Sequence, residues 1–458
     1  MPVDTQHPLY ISHDARARRV RDAVEGSDAV KKRGDFYLPM PNPEEPDAEK
    51  RFESYKKRAL WLGVTGRTHD GMLGAIFRKD PTIDLPTELE YLIEDADGSQ
   101  MSLRQFCRGV CSYLMRNGRH GVLVDYPEAP DETTHENVAG LNAYLRTYDS
   151  PAIWNWRRSG EKLSLVVLKE LYEDPVDEFQ FDIEEQYRVL SLDEDGFYVQ
   201  RVFRDNQEVS RIEPRMANGE RFDFIPFQFF GAMNNDEYPD KPLLLDLADV
   251  NYDHYRSSAN RREASFIVGQ PMLHLDIGET TTEDWKVLNP NGVLFGSRQG
   301  IQTQGGSATL LQAQPNDMSR QDMVDAEEQM VRIGARLIRN GSGGETAESV
   351  KERSGADTAN LSTVAHNVSD GVRHCLVWAG MFMSSRDLTP SIVFELNQQF
   401  YDKTADPQDV MARIQELDRG LIAVSDYRDW RRETGGIDPE RTDEDIDAEV
   451  GSGGSVVL

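Results

Sequence analysis

Residues Met318 to Asn340 carry the pattern that most narrows the fold. Met323, Met330 and Leu337 stand seven apart, and Val324, Val331 and Ile338 repeat that spacing one position later. Two adjacent heptad rows make one continuous apolar stripe on a long helix. Its acids come first (Asp322, Asp325, Glu327, Glu328) and its arginines last (Arg332, Arg336, Arg339), matching the helix dipole. Gly341-Ser342-Gly343-Gly344 then breaks the helix, and a second long helical pattern runs from Thr346 to Met383. Leu361, Val364, Ala365, Val368, Val372, Cys375, Leu376 and Ala379 share one face of it, and Ser354-Gly355 marks an expected kink. A third helix precedes the pair, with Pro242 expected in its first turn and Leu244, Leu247, Ala248, Asn251, Tyr255, Ser258 and Ala259 along one side. Between it and Met318 lies a Gly- and Thr-rich stretch with strand candidates at Met272 to Leu275, Gly292 to Phe295 and Thr309 to Gln312. The simplest reading is a small subdomain projecting between two long helices.

The chain before Tyr238 is mixed. Helical patterns at Asp14 to Val24 and Ala48 to Leu62 flank a proline-rich loop, Pro39 to Pro46, and another helix starts near Arg67. Ser102 opens a helix bearing Phe106, Val110, Tyr113 and Leu114, Asn117-Gly118 closes it, and Gly121 to Pro127 reads as a buried strand. From Ala152 to Phe230 the period changes to two. Leu163 to Leu168, Gln186 to Leu190, Phe197 to Phe203 and Phe227 to Phe230 are expected in one antiparallel sheet, with Asp193-Glu194-Asp195-Gly196 as a hairpin turn. A strand candidate at Ile392 to Leu396 and two further helices precede an acidic tail, expected to be mobile. The fold class is therefore α+β.

Composition limits what such a chain can do. With 51 basic and 80 acidic residues the formal charge is −29, which argues against gripping nucleic acid, because gripping requires Lys and Arg to displace phosphate counterions. An acidic wall is compatible with letting a polyanion slide, and solubility alone accounts for the same charge. No window approaches the ~20 apolar residues of a membrane span, and the N-terminus shows no basic start followed by an apolar core. Cys107, Cys111 and Cys375 fit a reducing compartment and read as small packing residues.

Catalytic constellations are weak throughout. Gly341 to Thr346 superficially resembles a phosphate-cradling loop, but no Lys precedes the Thr and a helix, not a strand, precedes the loop. The nine histidines are scattered, and His366 and His374 lie eight apart, two turns from each other on one helix. The acidic clusters lack the periodicity of a calcium loop. No catalytic, cofactor-binding or metal-ligating residue is assigned, and no enzyme activity is expected.

Several phrases, taken in order, resemble those of tailed-bacteriophage portal proteins, the head-to-tail connector family, in a less-studied podophage and siphophage subgroup. They are Arg67-Thr68 through Gly74 to Lys79, Gly118 to Pro127, Tyr144-Leu145-Arg146 with Ile153 to Arg157, Pro242 to Asn251, and Glu345-Thr346-Ala347 with the Trp378 helix. They span roughly Pro8 to Trp430. The resemblance implies a portal-like fold: wing 1–240, first stem helix 241–269, a small α/β clip 270–317, second stem helix 318–340, tunnel loop 341–345, long kinked helix 346–383 connecting wing and crown, and C-terminal strand and crown helices 384–458. It implies a homo-oligomeric ring, usually of twelve, at the unique capsid vertex, through which double-stranded DNA is packaged and ejected without sequence specificity, and in such a ring the stripe of Met323, Val324, Met330, Val331, Leu337 and Ile338 is a candidate for packing one subunit on another. Implied partners are the major capsid protein, scaffolding protein, terminase large subunit and head-tail adaptor. The implied location is the virion, and the host cytoplasm during assembly. On this reading Asn340, Gly341, Ser342, Gly343, Gly344 and Glu345 face DNA, in a largely acidic channel where Arg332, Arg336, Arg339 or Lys351 form isolated basic rings. Another virion structural protein, such as an adaptor or internal head protein, stays open as an alternative, and so does a phage nuclease or NTPase.

Overall fold

The structure is a computed structural model that describes residues 2–127, 141–270, 272–290, 305–311, 318–338, 347–398, 400, 407–438 and 441–452. The chain begins with helices α1 (Pro8–Glu25), α2 (Ser27–Lys32), α3 (Ala48–Arg58) and α4 (Val64–Ile76). Pro8 sits in the first turn of α1, where a missing N–H costs nothing, and the His7 ring accepts from the Leu9 N–H. The α3 pattern was expected to run to Leu62 but stops at Arg58. Ala59 turns extended, the Leu60 N–H donates to Ser258 Oγ, and Trp61 is thereby buried against Tyr252 and Tyr255.

A short strand β1 (Thr82–Asp84) and a single helical turn α5 (Tyr91–Glu94) lead to α6 (Leu103–Asn117). Ser102 and Gln105 form a reciprocal capping box at its start, and Gly118 ends it at φ 70°. A Cβ on Gly118 would stand 2.3 Å from the Asp240 carbonyl oxygen, so glycine is required there twice over. The chain then enters β2 (Arg119–Asp125), buried at all seven positions. β3 (Tyr144–Asp149) and β9 (Phe227–Gly231) flank β2 in a three-stranded antiparallel sheet of order β3-β2-β9. This corrects the expected placement of Phe227 to Phe230. Every residue of β9 is buried, so it belongs in a sheet covered on both faces and not among strands with one wet side.

The period-two region is a five-stranded meander: β4 (Ile153–Ser159), β5 (Lys162–Pro175), β6 (Phe181–Leu192), β7 (Tyr198–Arg204) and β8 (Gln207–Ile212), paired in sequence order. Asp193 to Gly196 forms the expected turn, with Asp193 Oδ1 accepting from the Phe197 N–H and Gly196 at φ 85°. One carboxylate organises the inner face of this sheet. Glu170 accepts from Tyr148 Oη at 2.6 Å, Gln186 Nε2 at 2.8 Å and Arg188 Nε at 2.7 Å, with Arg146 3.4 Å away. Burial pushes its carboxyl up, but the Arg188 hydrogen bond and charge, with help from Arg146 and Tyr148, leave it below the usual range.

Helix α7 (Leu245–Val268) buries the predicted side, Leu247, Ala248, Asn251, Tyr255, Ser258 and Ala259. It starts later than expected: Pro242 lies outside it and its carbonyl accepts from the Leu245 N–H in the preceding turn. Strands β10 (Met272–Leu275) and β11 (Ala308–Leu311) pair antiparallel, as two of the three strand candidates anticipated. Between them α8 (Thr282–Leu288), capped by Thr281, was not anticipated, and Gly292 to Phe295 lies outside the described residues. Then come α9 (Met318–Ile338), α10 (Ala347–Met383), β12 (Val393–Glu395), which pairs with β1, and helices α11 (Pro407–Asp418), α12 (Val424–Glu433) and α13 (Asp443–Ser452). α10 is one helix across Ser354-Gly355. The acidic tail expected to be mobile is helical over 443–452, because Arg428 reaches Asp447, Arg432 reaches Asp443 and Arg441 reaches Glu449; residues 453–458 lie outside the described residues.

Because Glu170 is held below its unfolded value, its stabilisation is complete above the unfolded carboxylate range and is lost as pH falls through the folded value. Removing the carboxylate leaves Arg188 buried and unpaired, so Glu170→Ala should cost about 3–5 kcal/mol in urea denaturation. A loss below about 1 kcal/mol would show that the meander does not depend on this pair.

Candidate functional site

The site that the sequence singles out lies on α9 and the chain around it. Helix α9 packs along α7 and across α4. Met323, Ala326 and Met330 are buried, while Val324 and Val331 are 40% and 66% exposed. The two heptad rows therefore part company: the Met row is consumed by this chain's own core, and the Val row faces outward. Close approach to α4 falls at Gly334, where a Cβ would stand 3.1 Å from Thr68 Oγ1. At the α7 contact His254, itself buried, reaches Glu327 through Nε2 at 3.1 Å rather than its sequence neighbour Asp253.

Of the expected basic ring, Arg332 is exposed and bonded to Glu328 at 3.2 Å on the same helix. Such a pair holds the guanidinium loosely and contributes at most about 0.5 kcal/mol. The side chains of Arg336, Leu337, Ile338, Arg339 and Lys351 lie outside the described residues, as does the whole segment Asn340, Gly341, Ser342, Gly343, Gly344 and Glu345. Around Arg332 the outward side is acidic, with Asp322, Asp325, Glu327 and Glu328 all exposed.

Among the described residues no cluster of three or more His, Cys, Asp or Glu side chains is arranged to hold a metal ion, and no helix is long and apolar enough to cross a membrane. The three cysteines are fully buried, and burial pushes their thiols far above the ordinary range, which suits packing and opposes reactivity.

Two features escaped the sequence reading. The first is a buried basic cluster where α1, α6, β2 and β4 meet. Arg119 lies with its guanidinium 3.7 Å from the Trp156 ring centre and 5.0 Å from that of Phe229, and its nitrogens have no hydrogen-bond partner among the described residues. Burial lowers it to about 9, partly countered by Glu237 and Asp236. Burial drives His120 down to about 3, aided by Arg116, and His13 to about 4, aided by Arg119. No local motif announces this cluster, because its members come from four elements. The second feature is the long β5–β6 ribbon, whose apolar residues stay exposed at its end.

A family model described as "Domain of unknown function (DUF4055)" matches residues 242–383, from the approach to α7 to the end of α10. No curated protein matches the sequence. Similar solved chains occur in "Neck of native GTA particle computed with C12 symmetry", at 13% identity and TM-score 0.41 over 80% of this chain and 88% of that one. Another is in "Virion of native gene transfer agent (GTA) particle", at 12% identity and TM-score 0.41 over 89% and 98% of the two chains. A third is in "Neck of empty GTA particle computed with C6 symmetry", at 11% identity and TM-score 0.41 over 82% and 90%.

Two outcomes are expected from this geometry. Met330→Ala should lose about 2–5 kcal/mol of stability, as deletion of a buried side chain does, and Val331→Ala less than about 0.5 kcal/mol; equal losses would contradict the division of the two rows. The unfolded chain takes up protons on His13 and His120 near pH 6.5, while the folded chain resists until about 4 and 3. Stability should consequently fall as pH drops from about 6.5 towards 5, before most carboxylates titrate, and a flat melting temperature over that interval would refute the assignment.

Proposed function

We propose that this chain is a portal protein, one subunit of a ring at the capsid vertex through which genomic DNA enters and leaves. The observation that carries the reading is the order of elements from α7 to α10. Two long helices, α7 and α9, lie side by side and bracket a small unit of two paired strands and a helix, and a 37-residue helix follows α9 after a short glycine-rich segment. Portal subunits, which the sequence resembles, use this order for stem, clip, second stem helix, tunnel loop and long connecting helix. On this reading 1–240 is the wing, 270–317 the clip and 384–458 the crown.

The physical logic favours a passive conduit. A chain with formal charge −29 repels the DNA backbone, which keeps a moving duplex from settling into strong non-specific contacts. Isolated arginines such as Arg332, weakly held by a neighbouring acid, offer brief phosphate contacts. The energy for packaging would come from the terminase large subunit docked on the clip; the wing would meet the major capsid and scaffolding proteins, and the adaptor would join the ring to the tail. A closed head-to-tail ring needs two different complementary faces on each subunit, and the exposed Val324–Val331 row offers part of one.

Native mass spectrometry tests the reading. Twelve chains of 52.0 kDa give a particle of about 620 kDa, whereas a monomer or dimer at every salt concentration would overturn it. Changing Arg336 and Arg339 to Glu should leave rings intact and lower the yield of DNA-filled heads severalfold. Unchanged heads would remove those arginines from the channel.

A further inference from the structure

β5 and β6 run on together past the rest of the meander. β4 pairs with β5 only as far as Leu168, and β7 pairs with β6 only from Tyr187 onward, yet the β5–β6 ladder continues to Pro175 and Phe181. Six residues beyond Lys169, which still faces the β7-paired Tyr187, make a free two-stranded ribbon about 20 Å long. Directly opposed residues share a face, so Leu171 with Glu185, Glu173 with Ile183, and Pro175 with Phe181 lie on one side. That side is apolar at Leu171, Pro175, Phe181 and Ile183, and Phe179 at the turn is 85% exposed. A lone two-stranded ribbon is marginal in water, and one with a naked apolar face is stabilised by whatever covers it. From Leu171 to Glu185 the ribbon carries seven acids and no base. Its cover must be apolar and basic.

The chain has such a surface at the ribbon's own root. A groove of about 680 Å³ opens between α1 and the base of β5–β6, floored by Tyr10, Ile11, Trp154 and Leu171 and edged by Arg18, Arg21 and Lys169, which hold Asp14 and Glu185 of the same lining and leave it one positive charge in excess. Of the segment 15–33, which holds seven Lys and Arg against three acids in a chain that is strongly acidic elsewhere, Ala15, Arg18 and Arg21 line the groove. The ribbon cannot fill its own groove. Its free end stands at least ~13 Å further along the strands than Leu171, and a paired ribbon does not bend back on its root.

We propose that the end of the ribbon, centred on Phe179 and Phe181, seats in the α1 groove of the next copy of this chain. Ribbon and groove are two unlike faces carried by one subunit, the arrangement that closes a head-to-tail ring. The acidic end meets the Arg18 side of the groove, and the aromatic side chains meet Ile11 and Trp154. This inference rests on the ring reading above and adds the contact that holds neighbours together.

Two variants of the full chain test it. Phe179→Cys with Ile11→Cys should give a ladder of disulfide-linked multimers on mild oxidation, reversed by reductant, while either single variant gives none; the native cysteines are buried and do not compete. Phe179→Ser with Phe181→Ser alters exposed residues, so the melting temperature should hold while the fraction of closed rings in native mass spectrometry falls at least tenfold. If the wild-type chain forms rings, but the serine variant assembles equally well and the cysteine pair does not cross-link, the docking is wrong and the ring stands. If the wild-type chain never closes into a ring, the portal reading falls and the docking falls with it.

Discussion

Burial of one face of α10 is the contact on which the other parts of the structure converge. From Leu361 to Ala379 its inward residues are fully covered, and they lie against α6 and the β2–β9 side of the three-stranded sheet. The approach is close: a Cβ on Gly371 would stand 2.3 Å from the Phe230 ring, so the helix rests on β9 with no room for a side chain. Polar groups at the seam are matched, with Asn367 Nδ2 donating to the Gly231 carbonyl and its own carbonyl accepting from Asn235 Nδ2. Ser369 Oγ accepts from the Leu396 N–H, which brings the strand after α10 back beside it, and β12 then pairs with β1. One helix face thus connects the N-terminal helices, the central sheet and the C-terminal strand.

The interior is more ionic than the hydrophobic pattern implies. Glu170 with Arg188 is a satisfied buried pair, strongly destabilising to break and weakly stabilising overall. Arg119 is different, since aromatic faces rather than hydrogen bonds surround it. Glu170 joins the meander to β3 through Tyr148 and Arg146, and Arg119 of β2 lies against Trp156 of the meander, so both sit where the meander meets the three-stranded sheet.

Charge works the other way outside. The outward side of α9 and the end of the β5–β6 ribbon are acidic, while the segment 15–33 of the first helices carries a local excess of Lys and Arg.

Much of this was legible in the sequence because it is local. The helix face of α10, the capping of α6, the Asp193 to Gly196 turn and the α7 face all follow from periods of 3.6 and 2 and from a few residues with particular backbone needs. The heptad rows of α9 were visible too, but which row turns inward was not, since both are equally apolar and only the positions of α4 and α7 distinguish Met330 from Val331. Sheet membership of Phe227 to Gly231, the Arg119 cluster and the Glu170 network were decided by tertiary structure alone. Each joins residues from distant elements, and no spacing along a chain records which strand a given strand will pair with or which charges will be buried together.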